Sequence, residues 1–287
     1  MTVLRPEEKE ILSSLRELGC AIEVANRRNY AQFLGSADAR PSLVLMRNVS
    51  RNENLRMAQL FEHAGIAVIN SAASILTCSG KDIQALAFAR HDIRHPQTRL
   101  AFTFDDVSSF VAGLGGDVVI KPVNSSWGRG VVRIRTEEQF AAWRAGWESV
   151  DARGREFPVI VQQHIPKADH DLRAIVIGTE VVVVIRRDAI GLRTNTALGG
   201  VAKRVPIEPE VRSLCAEVVA MLGPGFYGID LVRSTLDGEY FVLEVNANPE
   251  FARSAPAHDV DIAGLFASYT TSVLGIEREL AGLGAPS

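Results

Sequence analysis

The chain has 287 residues, 47% hydrophobic and 23% charged, with a formal net charge of −3. That is the composition of a folded chain with a large core, and the near-neutral balance argues against nucleic acid or a membrane surface as a partner. Cys20, Cys78 and Cys215 stand far apart with no CxxC spacing, which argues against a disulfide framework or zinc site and reads as three small buried hydrophobes in a reducing cytoplasm.

In chain order, "RPEEKEILSSLRELGC" predicts a helix with Pro6 in its first turn and Gly19 as its stop. "SLVLM" (42–46) and "IAVIN" (66–70) predict strands on either side of the amphipathic helix "NENLRMAQLFEHAG". This alternation predicts a small parallel α/β lobe. Such a lobe ordinarily opens on a strand, and only "TVL" precedes the first helix. The start, "MTVLRPEEKE", does not read as a signal peptide. Helices are expected over 79–93 and 105–115. "DVVIKPVNSSWGRGVVRI" (117–134) then predicts two strands around a polar loop, followed by the helix "TEEQFAAWRAGWESV" and the strand "FPVIVQQHI". "DLRAIVIGTEVVVVIRR" (171–187) predicts two strands joined at Gly178; its run "VVVVI" is too short to span a bilayer. A helix over 210–223 precedes an antiparallel pair, "FYGIDLVRS" and "EYFVLEVNAN". Antiparallel pairing is expected from about residue 117 onward. The fold class is therefore an α/β N-terminal lobe followed by an α+β nucleotide-binding body. The expected divisions are 1–80, 81–160 and 161–287.

Four stretches carry chemistry. In the 117–134 hairpin, Lys121 ends an apolar strand and Gly128 and Gly130 follow in the loop. Backbone N–H groups and a nearby ammonium suit phosphate. A strand, not a helix, follows the loop, so it is not a Walker motif; alone, it reads as readily as a surface turn. Second, Glu244 and Asn246 lie two apart in one strand and project together, and the neighbouring strand carries Asp230. Two carboxylates and an amide oxygen form a hard-oxygen set suited to Mg²⁺. Third, "VIVQQHIPKADHDLRAIV" runs from an apolar strand into a polar bend that offers backbone groups to an adenine edge, and Asp171 and Arg173 alternate onto one face. Fourth, "GLRTNTALGG" carries Arg193 and Asn195 before two glycines. Each of the last two, alone, reads as loop polarity.

In this order, "KPVNSSWGR", "NTALGG", "GID" with "EVNANPEF", and "HDVDIAGLFASY" resemble the ATP-grasp superfamily, in particular its RimK-like carboxylate–amine ligases and, among these, the LysX-like group. The resemblance covers nearly the whole chain. It implies ATP gripped between two sheets. Lys81 and Lys121 would bind phosphates, and the loop with Ser125, Ser126, Trp127, Gly128, Arg129 and Gly130 would close over them. Gln162, Gln163, His164 and Ile165 would line the adenine site, and Asp171 would meet the ribose, with Arg173 beside it. Arg193 and Asn195 would hold phosphate, metal or the acyl group, and Asp230, Glu244 and Asn246 would bind two Mg²⁺. His258, Asp259 and Glu250 are candidates for removing the amine proton. The reaction implied joins an amino-acid amine to the C-terminal glutamate carboxylate of a small acidic carrier protein or peptide, through an acyl phosphate. A homo-oligomer, dimer or tetramer, is expected.

Two departures bear on the substrate. Leu198 stands where the LysX-like loop carries arginine, and "NANP" and "GRGVV" are closer to polyglutamate-adding relatives. The runner-up function is accordingly a glutamate or dipeptide ligase acting on a small molecule; a non-catalytic nucleotide-binding protein is the third. Residues 21–60 hold six arginines (Arg27, Arg28, Arg40, Arg47, Arg51, Arg56) against Glu23, Asp38 and Glu53. This surplus reads either as a solvated face or as a seat for an acidic carrier.

Overall fold

A computed structural model describes residues 4–25, 41–123, 130–149, 157–188, 201–257 and 259–283. The N-terminal lobe begins with α1 (Pro6–Glu17), with proline at its first turn. Strands β1 (Leu43–Leu45) and β2 (Ala67–Ile69) pair in parallel across α2 (Arg51–His63). Ser50 starts α2 by accepting the Glu53 N–H. Met57, Phe61, Ile66 and Ile75 form the core of this lobe. Helix α3 (Ala72–Thr77) and helix α4 (Lys81–Arg90) lead into the body.

The body holds two antiparallel sheets. The smaller has the order β3-β6-β4-β5, from β3 (Thr98–Ala101), β4 (Val118–Pro122), β5 (Val132–Ile134) and β6 (Val159–Gln163). Val118, Ile120, Ile134 and Val161 point to one face, packed against α5 (Phe104–Gly113) and α6 (Glu137–Ser149). Strand alternation sends Val119, Lys121, Ile160 and Gln162 to the other. The larger sheet is β11-β10-β7-β8-β9, built from β7 (His170–Gly178), β8 (Glu180–Asp188), β9 (Val201–Val205), β10 (Gly225–Arg233) and β11 (Tyr240–Asn246). One face, with Leu172, Ala174, Ile229 and Leu231, packs on α7 (Pro209–Leu222) and α4. On the other, Ile175, Ile177, Ile185 and Phe226 pack on α1 and α8 (Ile262–Leu283).

Asn70 ties the N-terminal lobe to the body. Its amide donates to the Phe226 and Ala247 carbonyls, each at 2.8 Å, and accepts the Phe226 N–H at 2.6 Å.

The α/β lobe and α+β body match the sequence reading, with corrections. Antiparallel pairing starts at Thr98, where β3 joins β6, and not near 117. The short β3, β9, α3 and the C-terminal α8 are additions to the predicted elements. The expected division at 160/161 falls inside β6, which stays in the smaller sheet through Gln163. Cys78 and Cys215 are buried, but Cys20 is only half-buried. Of the "TVL" start, Thr2 and Val3 lie outside the described residues, and Leu4 belongs to no strand. Among the described residues, no helix is long and apolar enough to cross a membrane.

Candidate active site

An open cleft lies between α4 (Lys81, Gln84, Phe88), the second face of the smaller sheet (Lys121, Ile160, Gln162) and the edge strand β11 (Val242, Leu243). The edge of the cleft carries an irregularity in β11. Val242 pairs with Leu231, and regular antiparallel pairing from there would place Glu244 opposite Ile229, on the apolar core face. The register instead shifts so that Glu244 pairs with Asp230 and Asn246 with Gly228. A bulge of this kind re-aims the side chains that follow it. Here it leaves Leu243 over and turns Glu244 and Asn246 onto the Asp230 face.

Beside them the face is ionic. Arg173 grips both Asp230 oxygens, with Nε on Oδ1 and Nη2 on Oδ2 at 2.8 Å. Arg187 bridges two acids, donating from Nη2 to Asp230 Oδ1 at 2.9 Å and from Nε to Asp171 Oδ1 at 2.6 Å. The Arg187 and Asp171 side chains are 9% and 8% exposed. Burial alone would raise the Asp230 carboxyl, but Arg173 and Arg187 outweigh it and hold the group below the usual carboxylate range. Burial would likewise lower Arg187, and Asp230 and Asp171 reverse that.

The lysines converge from opposite walls. Lys81 opens α4, and its Nζ lies 3.4 Å from Glu244 Oε1, with side-chain exposures of 13% and 25%. Lys121 Nζ donates to Gln162 Oε1 at 2.6 Å, and Gln162 Nε2 donates to Thr98 Oγ1 at 2.9 Å. Burial lowers Lys121 from 10.5 to about 8; the Glu244 and Asp230 carboxylates pull it up and the Lys81 ammonium pushes it down. Two cations aimed at one gap between sheets form a seat for a polyanion.

The residues expected at the adenine site are less uniform. Ile165 is buried. His164 turns toward Asp117, with Nδ1 at 3.5 Å from Oδ2, and burial followed by Arg133 lowers its pKa. The Gln163 N–H donates to the Gln97 carbonyl at 2.8 Å. Gly130 closes the hairpin at φ +69°, and a Cβ there would meet Pro122 Cγ at 2.8 Å, so glycine is needed at this turn. Ser125, Ser126, Trp127, Gly128, Arg129, Arg193, Asn195, Leu198 and His258 lie outside the described residues. Glu250 is exposed and 3.7 Å from Arg5.

Of the six arginines in 21–60, Arg47, half-buried, meets Glu8 at 3.1 Å, and Arg51 donates to the Ser79 carbonyl at 3.1 Å. Neither belongs to a solvated basic face; Arg56 is exposed, and Arg27, Arg28 and Arg40 lie outside the described residues. Sequence reasoning passed over Arg187, because a basic pair ending a strand reads as solvated charge; only the β7–β8 register brings it to Asp171.

Among the described residues, no three His, Cys, Asp or Glu side chains gather as metal ligands. The available donors are the Glu244 carboxylate and the Asn246 amide, with Asp230 adjacent. An oxygen-only set of this kind fits a hard cation such as Mg²⁺.

Comparisons with known proteins agree with this fold. The model of the RimK-like ATP-grasp domain matches residues 80–269, and that of the LysX preATP-grasp domain matches residues 2–77. The α-aminoadipate–LysW ligase LysX of Saccharolobus solfataricus is 31% identical over 90% of this chain and 94% of its own. A RimK-domain ATP-grasp protein from Sphaerobacter thermophilus superposes with a TM-score of 0.71 at 22% identity, covering 94% of this chain and 97% of its own. The ATP-grasp ligase PsnB, solved with a precursor variant, Mg and ADP, gives 0.71 at 21% identity, covering 93% and 94%. The chain belongs to the RimK-like ATP-grasp family of ATP-dependent carboxylate–amine ligases, with a LysX-type preATP-grasp domain at its N-terminus.

Proposed function

We propose that this enzyme joins an amino-acid amine to the C-terminal carboxylate of a small acidic carrier protein or peptide, by way of an acyl phosphate and with release of ADP. The observation that carries the reading is the convergence of Lys81, Lys121 and Glu244 on the cleft between the sheets. The LysX relative, named for a LysW carrier, and the PsnB complex with its precursor support a macromolecular carboxylate.

In this reading the cleft takes ATP, with Lys81 and Lys121 on its phosphates. Gln162 holds Lys121 in place, and Gln163, His164 and Ile165 form the hinge at the adenine end. Glu244 and Asn246 would hold Mg²⁺, joined by Asp230 once the nucleotide's phosphates draw off one of its arginines. Bound Mg²⁺ offsets the repulsion between carboxylate and triphosphate. Arg173 and Arg187 supply positive charge beside the transferred group, where fixed charges stabilise the transition state. A carboxylate oxygen attacks the γ-phosphorus and ADP leaves. The amine nitrogen then attacks the acyl carbon, the carbon–oxygen bond to phosphate breaks, and the amine gives up a proton. The hairpin loop, with Ser125, Ser126, Trp127, Gly128 and Arg129, shields the acyl phosphate from water, and Arg193 and Asn195 hold the acyl group.

The test is ADP release with Mg·ATP, a short acidic peptide ending in glutamate, and a panel of amino acids. Peptide-dependent ADP with a matching amide product supports the reading. ADP formed only with small-molecule carboxylates would replace it with the small-molecule ligase.

A further inference from the structure

Gln84 lies in the interior of α4, one turn after Lys81, and is 3% exposed. A glutamine on a helix is ordinarily a solvent residue; this one is spent on the edge of a sheet. β11 ends the strand order, so among the described residues its outer main-chain groups meet no further strand. The Gln84 amide takes a strand's place there. Its Oε1 accepts the Val245 N–H at 2.7 Å, and its Nε2 donates to the Val245 carbonyl at 3.1 Å and to the Cys78 carbonyl at 3.2 Å. Beyond α4, the Arg94 carbonyl accepts the Val242 N–H at 2.9 Å. The segment that opens the smaller lobe is thus fastened to β11 at two points, one on each side of Glu244.

We infer that Gln84 is a positioning residue for the active site: by locking α4 to Val245, it fixes where the Lys81 ammonium meets the Glu244 carboxylate. The inference rests on the reading of the cleft as the Mg–nucleotide site. Residues three apart share a face of a helix, so the Gln84 anchor sets the placement of Lys81. Val245 adjoins Glu244, so the same anchor sets the carboxylate. Only a primary amide satisfies both Val245 groups. A methionine of similar length offers neither donor nor acceptor, and asparagine keeps the amide but is one methylene short.

The test is a double-mutant cycle on the full chain, read as the dissociation constant of Mg·AMPPNP by calorimetry, with circular dichroism to confirm folding. Gln84→Met is expected to weaken binding about tenfold, the scale of one hydrogen bond to a charged group. In a Lys81→Met background, the same change is expected to weaken it less than about twofold, because its effect runs through Lys81. Equal losses in both backgrounds would make Gln84 a general packing residue and overturn the inference. If Gln84→Met does not fold, Gln84→Asn carries the same cycle; if neither folds, Gln84 is a folding residue and the inference fails. Wild type that binds no Mg·AMPPNP would instead overturn the nucleotide reading, before any variant is compared.

Discussion

If Lys121 holds the phosphates as proposed, the cleft's affinity for nucleotide should depend on pH. Its ammonium is pushed down to about 8 by burial and Lys81, against the pull of Glu244 and Asp230. A bound triphosphate stabilises the charged form and holds the proton to higher pH. Binding above pH 8 therefore takes up a proton and weakens as pH rises. The charged fraction of the free enzyme falls from about 0.76 at pH 7.5 to about 0.03 at pH 9.5, so affinity falls roughly twentyfold. The unliganded fold has the opposite sign. The unfolded chain keeps this proton up to 10.5, so the cost of burying a charged Lys121 is present below about pH 8 and is relieved as pH rises toward 10.5. That cost is about 3 kcal/mol before discounting for partial exposure. The assay is calorimetry with Mg·AMPPNP from pH 7.5 to 9.5, where the nucleotide itself does not titrate. Lys121→Arg keeps its charge throughout and should flatten the profile. Lys121→Met should bind poorly, yet its unliganded form should be the more stable at pH 7.5, with an advantage that shrinks by pH 10. Wild-type affinity constant across the range would refute the placement of Lys121 on the phosphates.

Glu244→Ala should abolish ADP formation while leaving circular dichroism unchanged, because the side chain is only partly buried; turnover at the wild-type rate would remove Glu244 from the metal site. Arg187→Met strands Asp171 beside Asp230 in the interior and should cost about 3–5 kcal/mol in urea unfolding; a loss below about 1 kcal/mol would mean the bridge is solvated. Leu198 has no donor for an anionic side chain, so the enzyme should prefer an amino acid less acidic than glutamate or α-aminoadipate. Leu198→Arg should gain activity on the acidic ones; a wild type that already prefers them, with no gain in the variant, would make Leu198 a packing change.

The motifs were legible where chemistry follows local spacing. Glu244 and Asn246 two apart in a strand, and a lysine ending the strand before a glycine loop, need no tertiary knowledge. What escaped depends on register. Alternation from Tyr240 through Val242 would bury Glu244 in the apolar core, and the bulge at Leu243 that prevents this has no marker in "EYFVLEVNAN". Arg187 and Gln84 resemble surface residues until neighbouring strands and helices give them partners. β3 and β9 escaped because "TRLA" and "VAKRV" are short and partly charged, and α3 because six residues are too few to show a period.

The central claim, that this chain activates a carboxylate by phosphorylation before an amine displaces the phosphate, is tested most directly by oxygen transfer. The acceptor peptide's C-terminal carboxyl groups are labelled with ¹⁸O and the reaction is run with Mg·ATP and the preferred amino acid. The account predicts ADP, and inorganic phosphate carrying one ¹⁸O from the carboxylate for each amide formed. Unlabelled phosphate, or AMP and pyrophosphate as the nucleotide products, would contradict it.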